Sequence, residues 1–242
     1  MNVSPARAEG RGELPAVSAV TDLSAVQTAD GRGAIEELAH TARAHGFVSA
    51  HALPNWVPLL TSLLNTTPTL VGSPVGFPSG GATTRTKLAE ASELLAMNVG
   101  ELDVMLNVGR LRSGDLAYVE EEMTAIVREV AGAVPLRAIL EVSVLERSEI
   151  RVACELAIET GFTYVKTGTG WTGAPTSLDT VRFITQCVGN RILVKASGGI
   201  RDLTTMRAMW DLGVSRFGIN LHTALALVVE QATDERKDKV VP

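Results

Sequence analysis

Cysteine is scarce in this chain. The 242 residues include only two, Cys154 and Cys187. They form no C-x-x-C pair and cannot build a disulfide framework, which points to a reducing compartment. Long apolar runs are missing as well. No stretch of eighteen apolar residues occurs and the mean hydropathy is only +0.18, so no membrane-spanning helix is expected. Residues 1–15 lack the apolar core of a signal peptide, and the cytoplasm is the expected location. Positive charge is not in excess: 22 Lys and Arg stand against 27 Asp and Glu, a net charge of −5. A nucleic-acid binder needs clustered positive charge, so neither nucleic acid nor a membrane is expected as partner. A small anion stays open, because a few backbone N–H groups and one Lys suffice to hold it.

What the sequence does contain is alternation. Eight short apolar runs occur at Ala16–Thr21, Phe47–Leu53, Thr69–Val75, Glu101–Leu106, Leu136–Val142, Thr163–Thr167, Arg191–Ala196 and Arg216–Ile219. Amphipathic stretches lie between them, at Gly33–His45, Thr83–Met97, Leu116–Ala131, Glu146–Thr160, Leu178–Val188, Leu203–Leu212 and Thr223–Ala232. Such alternation favours parallel strands joined by helical crossovers. Gly46, Gly100, Gly161 and Gly213 stand where C-cap glycines belong, and Ser177 and Asp202 where N-caps belong. No Pro-, Gly- or Ser-rich linker interrupts residues 16–233. The expected organisation is a flexible leader at 1–14, one α/β domain at 15–233 and a charged tail at 234–242. A TIM (β/α)8 barrel of about 220 to 250 residues fits that length. An open doubly wound sheet uses the same alternation. Both place the site at the C-terminal ends of the strands.

Two strand ends carry lysines. Lys166 closes one apolar run and Lys195 closes the next. Neighbouring parallel strands lie about 4.8 Å apart, so equivalent positions bring the two side chains together. Two close ammonium groups repel, and partial burial adds to this, which lowers the pKa of one. A neutral amine attacks a carbonyl and forms a Schiff base. Snorkelling lysines, or a phosphate-binding pair, would fit the same positions. A third strand end, Glu101 to Asn107, places Asp103, Met105 and Asn107 on one face. An inward Asp is costly unless paired, so Asp103 either relays protons with a lysine or forms a structural salt bridge. Glu141 stands at a similar place.

The glycines suggest an anion. Ser197-Gly198-Gly199-Ile200-Arg201-Asp202 leads from a strand into a helix, and Gly218-Ile219-Asn220 follows the last strand. Gly168 to Gly173 matches G-x-G-x-x-G literally. The next strand ends in Lys195 where a dinucleotide fold needs an acid, and Trp171 and Pro175 disturb the turn. No metal motif is present: His40, His45, His51 and His222 form neither H-x-x-x-H nor H-E-x-x-H. There is no G-x-S-x-G elbow either.

Taken together, these motifs resemble the deoxyribose-phosphate aldolase family. The matching stretches are Val75-Gly76-Phe77-Pro78 with Gly80, Lys87 to Ala91, Glu101 to Val104, Glu141, Phe162 to Gly170, Val194 to Arg201 and Arg216-Phe217-Gly218. The resemblance implies a TIM-barrel class I aldolase that needs neither metal nor cofactor. Such an enzyme reversibly joins acetaldehyde and glyceraldehyde 3-phosphate into 2-deoxyribose 5-phosphate. By resemblance Lys166 forms the Schiff base, Lys195 depresses its pKa and Asp103 takes part in proton transfer. Thr169, Gly170, Gly198, Gly199, Gly218 and Asn220 would hold the phosphate, and Asp22, His51, Glu141 and Trp171 would touch substrate. The expected partner is a small aldehyde or sugar phosphate, and a homodimer is compatible.

The sequence also departs from that family. His51 and Leu53 stand where Cys and Asn are usual, and Asn220-Leu221 where serines are usual. Those changes leave open the same imine chemistry on an unphosphorylated or larger carbonyl. A non-catalytic sugar-phosphate-binding barrel would not need Lys166, Lys195 and Asp103 together.

Overall fold

Strand pairing runs once around the molecule and closes on itself. The computed structural model describes residues 12–238. In it β1 (Thr21–Ala25), β2 (Ser49–Ala52), β3 (Leu70–Val75) and β4 (Glu101–Met105) pair in parallel, each with the next. They continue into β5 (Leu136–Ile139), β6 (Tyr164–Lys166), β7 (Leu193–Ser197) and β8 (Arg216–Asn220), and β8 pairs with β1. This is the TIM barrel, and the open sheet is excluded by the register Asp22↔Gly218 between first and last strands.

Helices surround the strands. A short α1 (Val17–Val20) precedes β1, and α2 (Arg32–His45), α3 (Val57–Leu64) and α4 (Thr84–Ala96) follow. Next come α5 (Val108–Arg112), α6 (Leu116–Val130), α7 (Arg147–Thr160), α8 (Leu178–Val188), α9 (Leu203–Asp211) and α10 (Leu221–Asp238). Outward-facing strand residues such as Leu23, Leu102, Val165 and Val194 are buried in one core with Ile35, Leu94 and Ile184 of the helices. The expected N-caps hold: the Ser177 and Asp202 side chains accept from Thr180 N and Thr205 N.

The first apolar run is not a strand. Val17–Val20 is helical, and β1 begins at Thr21. A six-residue apolar run carries no decisive period, and its neighbours decide its state. Here Val17 N donates to Gln231 Oε1 at 2.7 Å, tying α1 to α10. Leu14, expected in the leader, is buried in the core, and Gly12 O accepts from Trp210 Nε1. The expected tail at 234 begins inside α10, where Asp234 pairs with Arg207 of α9. Residues 1–11 of the leader and 239–242 of the tail lie outside the described residues. Gly100 is not a C-cap: Asn98 takes the left-handed conformation after α4, and a Cβ at Gly100 would meet Leu70 at 3.0 Å. The helices α3 and α5 were not foreseen. Both are short, and Asn107 caps α5 by accepting from Arg110 N, so its side chain does not continue the inner face of β4.

Candidate active site

The register of β6 and β7 pairs Lys166 with Lys195. Both side chains enter the barrel, where they converge on Asp103 of β4. Asp103 Oδ2 accepts from Lys166 Nζ and from Lys195 Nζ, each at 2.8 Å. Lys195 Nζ is also 2.7 Å from Asp22 Oδ2 of β1. A second group of charges lies beside them. Arg216 of β8 binds Asp22 through Nε at 2.8 Å and also through Nη2, and Ser49 Oγ donates to Asp22 Oδ1 at 2.7 Å. Arg137 of β5 binds Glu101 of β4, and Glu101 accepts from His51 Nε2 of β2 at 2.8 Å.

Charge balance in this interior explains the protonation states. Three carboxylates (Asp22, Glu101, Asp103) face four cations (Lys166, Lys195, Arg137, Arg216). Loss of one proton brings the cluster to neutrality, and Lys166 is the group placed to lose it. Burial lowers its pKa from the ordinary lysine value. The Asp103 carboxylate opposes that fall, and the Lys195 charge reinforces it. Burial alone would raise Asp103, but Lys166 and Lys195 together hold it well below the usual carboxylate range. Asp22 is likewise held low against burial by Lys195 and Arg216. Burial and Asp22 push Glu101 up, yet Arg137 and the His51 bond bring it down to about 2.

Two connected spaces open above the lysines. The inner one, about 30 Å³, is lined by Asp22, His51, Asp103, Lys166, Lys195 and Phe77 among others. The outer one, about 320 Å³, is walled by Gly170, Gly198, Gly199, Arg201, Gly218 and Asn220 among others. Ser24, Val26, Thr169, Ser197 and Gly218 border both. A small carbonyl compound therefore reaches Lys166 while its far end lies among glycines at the β7 and β8 loops. Such loops present backbone N–H groups and helix N-termini to an anion. Gly199 has a steric reason as well: φ is +78°, and a Cβ there would lie 2.3 Å from Pro175 Cβ.

This geometry has close relatives. No protein-family model matches the chain. A deoxyribose-phosphate aldolase of Sinorhizobium medicae is 52% identical over 213 residues, covering 88% of this chain and 86% of that one. The chain belongs to the deoxyribose-phosphate aldolase family. It is a lyase of the aldolase kind. The solved structure of QR15, an aldolase, is 32% identical and covers 90% of this chain and 97% of that one, with a TM-score of 0.85. The tetrameric deoxyribose phosphate aldolase of Aeropyrum pernix, at 23% identity and a TM-score of 0.81, shares the fold over 89% of this chain and 91% of that one. Among the described residues no helix is long and apolar enough to cross a membrane.

Within this family member, most of the expected site residues meet at the two spaces, while Glu141 and Trp171 stand outside their walls. Glu141 is buried just past β5 and accepts from Thr169 N at 3.2 Å and from Thr169 Oγ1, so it anchors the loop after β6. Trp171 crosses the mouth: its Nε1 donates to Val26 O at 3.2 Å, and its ring meets Phe77 edge-on at 5.7 Å. Thr169 Oγ1 accepts from Trp171 N at 3.0 Å, which ties that loop down further. Asn220 lines the outer space, but its Oδ1 caps α10 by accepting from Thr223 N at 3.0 Å. Leu221 turns into the core.

Sequence reasoning missed Glu101, Arg137, Arg216 and Arg201 as site residues. Glu101 shares the strand face of Asp103, two residues away, and was readable from that parity. Arg137 sits inside an apolar run and Arg216 opens one, the same anomaly that marked the lysines. Arg201 lies in the anion loop Ser197 to Asp202, and its place beside the glycines was the signal for it.

Asp22, His51 and Glu101 place one ligand atom each within 4.8 Å of the others, a spacing a metal ion could use. Their charge is already taken. Arg216 and Lys195 hold Asp22, and Arg137 holds Glu101. A divalent cation there would face three resident cations at close range. Activity is therefore expected to survive exhaustive dialysis against a chelator. A large loss reversed by added Zn²⁺ would show that the cluster is a metal centre.

Proposed function

We propose that this chain reversibly joins acetaldehyde and glyceraldehyde 3-phosphate into 2-deoxyribose 5-phosphate through a Schiff base on Lys166. The observation that carries this reading is a buried lysine of lowered pKa, held beside Asp103 and Lys195, at the floor of a small space that opens on a glycine-walled cleft. The neutral Nζ attacks the acetaldehyde carbonyl. An amine proton passes to the carbonyl oxygen, and with one further proton taken up from the medium that oxygen leaves as water while the nitrogen lone pair forms the C=N⁺ bond. Loss of an α-proton gives an enamine, whose carbon attacks the second aldehyde. Hydrolysis frees the product and restores the amine. In this scheme Lys195 steadies Asp103 and disfavours charge on Lys166. Asp103 exchanges protons with the reacting nitrogen, which it already contacts. The donor, two carbons long, suits the space of about 30 Å³. Residues Thr169, Gly170, Gly198, Gly199, Gly218 and Asn220 then surround the phosphate end of the acceptor.

Arg201 supplies the full positive charge in the outer space. A hydrogen bond to a charged group is worth about 1.5–3 kcal/mol. Arg201→Gln is thus expected to lower kcat/KM for glyceraldehyde 3-phosphate roughly tenfold to a hundredfold. Unphosphorylated glyceraldehyde should change by no more than about twofold, since it makes no such bond. Steady-state kinetics with both acceptors decides this. Equal losses on the two would remove the phosphate from the outer space and favour an unphosphorylated substrate. The same proposal includes a cytoplasmic setting, supported by the unpaired, buried Cys154 and Cys187. It also includes self-association as a homodimer, for which the tetrameric relative gives a precedent of assembly.

A further inference from the structure

The inner space admits very little. A water-sized group needs roughly 10–15 Å³ of such room. A volume of about 30 Å³ therefore takes two or three non-hydrogen atoms, as many as acetaldehyde has. A donor with one more carbon enters only where a wall gives way. Most of the walls are fixed. The charged side chains belong to the buried ion-pair network, and Ser24, Pro74, Ser197 and Gly218 lie within barrel strands. Thr169 is held by Glu141 through both its N–H and its hydroxyl.

Phe77 is placed differently. It is the largest apolar side chain on the wall, it stands on the loop after β3, and it is half-buried. The backbone just before it is anchored to α4. Gly76 N donates to Glu90 Oε2 at 2.6 Å, and a Cβ at Gly76, where φ is +67°, would lie 2.8 Å from Lys87 Cε. Lys87 is itself buried and bound to Glu122 and to Met105 O. These contacts fix the backbone and leave the ring to its own neighbours. The ring meets Trp171 edge-on, with the two planes at 88°. Such edge-to-face pairs add stabilisation beyond the area they bury.

Trp171 reaches Phe77 from across the barrel. It lies between β6 and α8, and Gly170 and Gly173 on either side of it take φ values of +78° and +74°. Its backbone N–H is tied to Thr169 and its indole N–H to Val26 O, just past β1. The indole thus links the loop after β6 to the ends of β1 and β3. Phe77 stands between that indole and the inner space. Trp171 is 38% exposed and stands outside the barrel core, so the fold tolerates its replacement.

We infer that Trp171 is a positioning residue for donor length: by bracing the Phe77 ring against the inner space, it confines imine formation to a two-carbon carbonyl compound. The inference rests on the imine reading of Lys166. A third donor carbon has to push Phe77 into the indole and strain the bond to Val26. Without the indole the Phe77 ring turns outward, and the longer donor fits. Trp171 touches neither the donor nor Lys166, so its effect falls on the choice between donors.

The test compares acetaldehyde and propanal as donors in wild type, Trp171→Ala and Trp171→Phe. The value of kcat/KM is measured for each donor with glyceraldehyde 3-phosphate as common acceptor. Borohydride trapping followed by mass spectrometry gives the rate of imine formation with each donor alone. One extra methylene in a pocket is discriminated roughly 10- to 200-fold, and wild type is expected to favour acetaldehyde by about that factor. The preference should fall about tenfold in Trp171→Ala, in both measurements. Trp171→Phe keeps a ring beside Phe77 and should stay within about threefold of the wild-type preference. Phe77→Leu shortens the wall directly and should lower the preference with Trp171 in place. A loop that is merely loosened raises KM for glyceraldehyde 3-phosphate and slows both donors alike. An unchanged preference in Trp171→Ala, whether or not Phe77→Leu relaxes it, would overturn the inference. So would a Trp171→Phe enzyme as relaxed as Trp171→Ala, or a wild type that takes both donors equally. A wild type that traps neither aldehyde would instead defeat the imine reading itself.

Discussion

Lys166→Ala is expected to form no borohydride-reducible adduct with acetaldehyde, and its kcat should fall on the order of 10⁴- to 10⁶-fold. The reason is chemical: no other amine in the inner space is free to attack. Lys195 is the only other lysine there, and its Nζ is engaged by Asp103 at 2.8 Å and Asp22 at 2.7 Å. Peptide mapping of the trapped wild-type enzyme should find one ethyl group on Lys166. A label on Lys195 instead would exchange the roles of the two lysines. The pH dependence of adduct formation carries a sign. The Lys195 charge helps keep the Lys166 pKa below 10.5. Removing it in Lys195→Met leaves burial alone to oppose Asp103, so the Lys166 pKa rises. The acid limb of adduct formation should shift to higher pH. An unchanged limb would show that burial alone sets the nucleophile.

Asp103→Asn should lower kcat roughly 10²- to 10⁴-fold with a smaller effect on KM. One oxygen of Asp103 organises both ammonium groups, and an amide cannot balance two positive charges. The same carboxylate links stability to pH. Its pKa in the folded chain is depressed below 3.8. It therefore stabilises the fold at pH values above 3.8, and that contribution is lost as pH falls below 3.8 through the lowered folded value. The acid limb of Tm against pH should be shallower in the variant than in the wild type. A soluble Asp103→Asn enzyme with full activity would reduce Asp103 to a structural ion pair.

Much of this architecture could be read along the chain. Lys166 and Lys195 stand out because a charged residue closing an apolar run is costly and calls for a reason. Their meeting followed from strand spacing once parallel neighbours were inferred. The helices α7 and α8 were located to within a residue, because amphipathic periodicity over eleven or more residues is a strong local signal. The first strand was misplaced by the same logic in reverse. Ala16–Thr21 is only six residues long, too short to carry a decisive period, and packing on α10 made Val17–Val20 a turn of helix.

Local physics therefore carried the barrel, the glycine loops and the two lysines, each of which is written in neighbouring residues. Barrel closure decided which charges meet. Asp22 and Arg216 are 194 residues apart and hydrogen-bonded, and His51 and Glu101 are 50 apart. Neither pairing has a local trace, because barrel closure is what sets β8 beside β1, and shear is what brings side chains of β2 and β4 to one level. The protonation of Lys166 is of the same kind. It depends on burial and on three carboxylates and three other cations, gathered from five other strands into one low-dielectric interior. Only the closed barrel brings them together.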